Sequence, residues 1–144
     1  MPTRSSRPPE LLVDTSVAVC LVWADHDQHA VTTRALRGRS LGLSGHAAFE
    51  TFSVLSRLPA PARRSPAVLS RLLAQSFPAS RFLSAEGHAT LLASLPDKGV
   101  AGGQVYDALV AAAAVEHDMV LATRDRRALD TYRALGVQVE VIEG

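Results

Sequence analysis

Cysteine, lysine and tryptophan each occur once in the 144 residues, and each scarcity narrows the reading. Cys20 has no partner for an internal disulfide, and its place in the apolar run 17–23 marks it as a small buried side chain, which fits a reducing cytoplasm. No stretch approaches the roughly 20 apolar residues that span a bilayer. Residues 11–24 follow Arg4 and Arg7 somewhat as a secretion signal follows its basic start. However, Asp14 breaks that run early and no small-residue cleavage site follows, so a soluble protein with no membrane contact is expected. The nine glycines never fall into a dinucleotide-binding or Walker pattern. Excess charge is missing as well. The net charge is +1, so any attraction for a polyanion has to be local. Lys98 is the one lysine among 15 basic residues. The arginine bias accompanies an alanine-rich composition, as a GC-rich genome produces, and also suits phosphate contact.

With 47% hydrophobic residues and both charge signs present, the chain is long enough for one domain with its own core. Residues 1–10 read as a flexible polar tail ending in Pro8 and Pro9, and 11–144 as a single domain. Short apolar runs at 11–13, 41–44, 82–84, 119–123 and 137–142 read as strands. Between them, helical signals occupy 17–23, 25–36, 45–58, 65–75, 85–95, 104–117 and 126–135, punctuated by Gly38, Pro59, Pro61, the glycines at 99, 102 and 103, and Gly136. The segment 104–117 is rich in alanine and nearly uncharged, so it must be buried on most sides. Short strands alternating with helices predict a three-layer α/β/α sandwich around a parallel sheet.

Reactive groups in such a sheet gather beyond the carboxyl ends of the strands. Asp14 directly follows the run 11–13, and Asp125 follows 119–123 by one residue. Two further acids sit on helical stripes that otherwise look core-facing: Glu50 with Ala47, Val54 and Leu58, and Asp107 with Gly103, Val110 and Ala114. A carboxylate on an apolar stripe is costly unless a cation, a proton or a metal compensates it. The segment 104–115 contains no Lys or Arg. Oxygen ligands without thiolates favour magnesium or manganese. Each acid also has a plainer reading: Asp14 and Asp125 as helix N-caps, Glu50 and Asp107 as residues at a helix boundary or partners of an arginine from elsewhere.

In their order and spacing, the segments Leu-Leu-Val-Asp14-Thr-Ser, Phe49-Glu50-Thr-Phe, Tyr106-Asp107-Ala-Leu and Leu121-Ala-Thr-Arg-Asp125 resemble the four acidic motifs of PIN-domain ribonucleases, and the chain is similar to the VapC toxins of toxin–antitoxin pairs. The resemblance covers residues 11–142. It implies a parallel five-stranded sheet between helices and a Mg²⁺- or Mn²⁺-dependent endoribonuclease acting on tRNA or rRNA. It also implies a homodimer and inhibition by a cognate VapB antitoxin. In that reading Asp14, Asp107 and Asp125 bind the metal, and Glu50 completes the catalytic group by holding or activating water. Ser16 and Thr123 match hydroxyl residues placed beside the acids to support them or touch substrate.

Other readings fit less well. A dehalogenase-like phosphatase wants a second aspartate where Ser16 stands, and a phospho-receiver wants a lysine where Lys98 is not. The alternative from another class is a catalytically idle PIN-like module that binds RNA or protein, and it would bind equally well after chelation. His26 and His29 read as a solvated helix start. Arg57, Arg63, Arg64 and Arg71 line either an RNA path or a solvated face. Trp23 is either core or a partner anchor.

Overall fold

The computed structural model describes residues 10–143. Its centre is β1 (Glu10–Val13), paired in parallel with β2 (Ser40–Leu43) on one side and β3 (Leu121–Thr123) on the other, with β4 (Val139–Val141) parallel beyond β3. The alternation of a strand divides the core between its two faces. Leu11 and Val13 join Val17, Leu43, Leu55, Leu69 and Phe77, whereas Leu12 joins Val110, Ala114, Leu121 and Tyr132. The first face is covered by α1 (Thr15–Val22), α3 (Ala47–Ser56) and α4 (Pro66–Ser76), with Leu36 contributing at the end of α2 (His29–Ala35). The second is covered by α6 (Gln104–Glu116) and α7 (Leu129–Leu135), with α5 (Ala85–Lys98) packed on the outside of α6. The small side chains Ala111, Ala113 and Ala114 are fully buried, so α6 lies close against its neighbours, as its composition predicts.

The sheet has four strands where five are expected. The run at 82–84, expected as the third strand, forms none, and the chain meets the sheet edge at 79–81 instead. There the Ala79 N–H donates to the Leu41 carbonyl (3.0 Å), and the Arg81 N–H to the Leu43 carbonyl (3.1 Å). Between these bonds the Leu43 N–H is taken by the Ser80 hydroxyl (2.9 Å) rather than by a backbone carbonyl. The ladder is thus interrupted, and only an isolated Ser44–Arg81 bridge remains. Gly42 permits this close approach. A Cβ at that position would sit 2.2 Å from the Ala79 carbonyl carbon and oxygen.

Other boundaries move for local reasons. The helix expected from residue 25 begins at His29, because the His26 ring takes the Gln28 N–H (3.0 Å) and holds the preceding residues in turns. α5 runs on through Pro96, which forgoes one backbone hydrogen bond in the last turn, to Lys98, and ends at Gly99 in the left-handed conformation. The segment expected as one helix from 126 is a 3-10 turn (Arg126–Ala128) followed by α7. The tail expected at 1–10 lies outside the described residues except for Glu10, which opens β1 opposite Ser40. No helix among the described residues is long and apolar enough to cross a membrane.

Candidate active site

Because all four strands run parallel, their carboxyl ends share one edge, and the Val13–Ala122 register sets Asp14 beside Thr123. Asp14 caps α1, its Oδ1 accepting from the Val17 N–H (3.2 Å), so the capping role and the strand-end role fall to the same side chain. Oδ1 also accepts from Ser16 Oγ (2.6 Å), and Oδ2 from Thr123 Oγ1 (2.5 Å) and Tyr132 Oη (2.8 Å). Ser16 in turn accepts the Arg124 N–H (2.8 Å), and Thr123 the Asp125 N–H (3.0 Å). The two hydroxyl residues singled out in the sequence therefore tie the end of β1 to the loop after β3. Burial pushes the Asp14 carboxyl above its ordinary range, against the pull of its bonds from Ser16, Thr123, Tyr132 and the Val17 N–H.

The remaining acids arrive from three other segments. Glu50 stands in the first turn of α3, half-buried, with Oε1 3.8 Å from His46 Nε2. Asp107 stands in the first turn of α6, and no donor among the described residues is hydrogen-bonded to its carboxylate. Asp125 caps the 3-10 turn, accepting the Arg127 N–H (3.0 Å), and lies 3.5 Å from Arg127 Nε. Asp14, Glu50, Asp107 and Asp125 all line one small polar pocket of about 80 Å³, together with Thr15, Ser16, Val110 and Tyr132. Larger clefts elsewhere have mostly apolar linings and gather no comparable set of charges. The one beside Trp23, about 360 Å³, is bounded by Leu55, Leu58, Leu69 and Leu72.

Crowding shows in the acid strengths. The Asp107 carboxyl is pushed up to about 6, first by burial and then by Asp125, Glu50 and Asp14, with Arg127 offsetting in part. Burial raises Glu50 too, His46 pulls it back, and Asp14 adds to the rise. Arg127 answers the expectation of an arginine from elsewhere only partly, because its side chain is 94% exposed and its charge is spent largely in water.

These residues fit a divalent cation. The donors are all oxygens, and the only cysteine is buried away from the pocket. Thr15 Oγ1, on the pocket wall, is buried with no hydrogen-bond partner among the described residues, and pocket water or an ion would satisfy it. Among the described residues no three Asp, Glu, His or Cys side chains close around one point as a finished cage.

Tyr132 is the site residue that sequence reasoning missed. A phenol on the buried face of an amphipathic helix needs an acceptor, but nothing in the spacing identifies Asp14 as that acceptor. Burial and the Asp14 charge make its phenol a weaker acid than usual, so it stays a hydrogen donor. His26 and His29 serve local structure, His29 Nδ1 lying 2.8 Å from the Cys20 carbonyl. Trp23 packs against the first core face and sets its ring edge-on to His26 at 5.5 Å. Arg57, Arg63, Arg64 and Arg71 are exposed and do not line the acidic pocket.

The PIN domain family model matches residues 11–134. Ribonuclease VapC27 of Mycobacterium tuberculosis is 47% identical over 133 residues, which is 92% of this chain and 97% of that protein. Ribonuclease VapC40 of the same species is 40% identical over 131 residues, 90% and 96% of the two chains. Among solved structures, VapBC2 from Rickettsia felis bound to a promoter DNA fragment aligns with a TM-score of 0.65 at 16% identity, covering 93% of this chain and 99% of that one. The sarcin–ricin-loop-cleaving toxin VapC20 of M. tuberculosis aligns at 0.61 and 18%, covering 80% and 89%. Sequence similarity along nearly the whole length, the shared fold and the ordered acids place the chain in the PIN-domain family, among the VapC ribonucleases.

Proposed function

We propose that the chain is a metal-dependent endoribonuclease, the toxin of a VapBC-type pair, hydrolysing phosphodiester bonds in tRNA or rRNA. The observation that carries this reading is that four carboxylates from four separate segments line one small pocket, offset only in part by His46 and the exposed Arg127. Relatives of 40–47% identity are ribonucleases, which supports the substrate class. VapBC complexes among the fold neighbours support a VapB-type antitoxin as partner, and self-association into a homodimer belongs to the same proposal.

Asp14, Asp107 and Asp125 are the residues that would hold Mg²⁺ or Mn²⁺, which when bound supplies charge stabilisation for the phosphate and acidifies water. The chain's own contribution is positional. Ser16, Thr123 and Tyr132 fix both oxygens of Asp14. Glu50 has no hydrogen-bond donor closer than the His46 contact, and burial raises its proton affinity, which suits it to take a proton from the attacking water at Oε1.

Incubating the protein with total RNA, with Mg²⁺ or Mn²⁺ and then with a chelator, tests the function. Cleavage that requires the metal is expected. RNA binding that survives chelation without any cleavage identifies the idle module instead. Stability gives a second expected result: millimolar Mg²⁺ or Mn²⁺ raises the melting temperature of the parent by mass action, and raises that of Asp14→Asn less. Equal shifts in the two proteins, followed by scanning fluorimetry, remove Asp14 from the ligand set.

A further inference from the structure

The exposed aromatic side chains are not scattered. Phe49, Phe82 and Tyr106 are 68%, 52% and 52% exposed, and Phe49 and Phe82 line one cleft with His46, whose Nε2 lies 3.8 Å from Glu50 of the acidic pocket. Phe49 directly precedes Glu50, and Tyr106 directly precedes Asp107. The Phe49 and Phe82 rings meet edge-on with centroids 6.3 Å apart. The His46 ring stacks on Tyr106 at 5.0 Å while its Nε2 faces Glu50. Between them a cleft of about 110 Å³ is bounded by Gly45, His46, Phe49, Phe82, His88 and Leu109.

Apolar side chains exposed to this degree are unfavourable unless something covers them. The cleft has aromatic walls, two imidazoles and no carboxylate of its own. His88 binds the Ser84 carbonyl through Nδ1 (2.9 Å), which leaves its other ring nitrogen without a partner among the described residues. Planar walls with a few hydrogen-bonding groups and no negative charge match a nucleobase rather than a phosphate or an acidic peptide. Phe49 of the cleft directly precedes Glu50 of the acidic pocket, and the cleft's His46 contacts Glu50, so a base held there lies close to the acids. A base can enter only when it is unpaired, since in a duplex its faces are already stacked.

We infer that the Phe49–Phe82 cleft is a base-binding slot that selects an unpaired nucleotide next to the scissile phosphodiester. The inference rests on the ribonuclease reading and names the part of the substrate recognised. Affinity of the parent, Phe82→Ala and Phe82→Tyr for an unstructured RNA 12-mer and for the same sequence as a duplex, read by fluorescence anisotropy in chelator, tests it together with cleavage kinetics in Mg²⁺ or Mn²⁺. Loss of one stacking wall is expected to weaken single-strand binding roughly five- to hundredfold. Tyrosine restores it, duplex binding does not change, and cleavage shows a raised KM at nearly constant kcat. Unchanged single-strand binding, or an equal loss for the duplex, overturns the slot. Sedimentation velocity must give one mass for all three proteins, because a mass change in Phe82→Ala assigns the patch to a second copy of the chain and also overturns it. A parent that cleaves RNA while Phe82→Ala behaves identically sinks the slot alone. A parent that binds the single strand through Phe82 but never cleaves sinks the ribonuclease reading alone.

Discussion

Asp107→Asn is expected to lower RNA cleavage by about 10²–10⁴-fold, the range typical of removing one group from an acid–base or charge-stabilising constellation, and to leave the fold intact. Asparagine keeps the size of the side chain while removing the charge that the pocket gathers. In the absence of divalent cations the same change is expected to stabilise the protein at neutral pH. The folded protein holds the Asp107 proton more tightly than the unfolded chain does, with the carboxyl at about 6 against an ordinary 3.8. The parent's stability from this group is therefore present at low pH and lost as pH rises from about 4 through about 6. At pH 7 the relief should be about 1 kcal/mol, less than the full shift implies because solvent screens a half-exposed carboxylate. Thermal unfolding of both proteins in chelator at pH 4 and pH 7 checks the sign. A variant that cleaves as well as the parent, or melts lower than it at pH 7, contradicts the crowded-pocket description.

Gly42→Ala should be the most damaging single-methyl change in the sheet. Its Cβ would overlap the Ala79 carbonyl at 2.2 Å, and a backbone cannot swing aside as a side chain can. Relief requires moving the 79–81 segment, which is tied to β2 through Leu41 and Leu43. A loss of about 3 kcal/mol is expected, the upper range for overpacking a closed site, and it should appear as a melting temperature lowered by more than 5 °C. Cleavage by the fraction that remains folded should change little, since Gly42 lies one strand away from the acids. A variant as stable as the parent shows that the 79–81 segment is free to move.

How much of this was legible beforehand follows from the kind of signal each feature leaves. Asp14 and Glu50 could be read because each interrupts an apolar pattern, and a charge in a core-facing stripe is conspicuous on physical grounds alone. Ser16 and Thr123 could be read only through family resemblance, since a hydroxyl near an acid has many uses. Tyr132 could not be read, because its bond to Asp14 joins residues 118 positions apart. That the strands run parallel followed from their alternation with helices, whereas their order, β2-β1-β3-β4, left no mark in the pattern. The missing fifth strand left none either, because it turns on one serine hydroxyl that takes a ladder donor. The start of α2 likewise depends on the His26 ring capturing a backbone N–H, a contact that hydrophobic periodicity does not register.

Titrating the apo protein with Mn²⁺ while following the electron paramagnetic resonance signal of free Mn²⁺ bears directly on whether four distant carboxylates form one cation site. The signal should be depleted to saturation by the parent and scarcely at all by Asp107→Asn, with Mg²⁺ releasing the bound Mn²⁺. Equal depletion by parent and variant, or none by either, would mean that the acids share a pocket without sharing an ion.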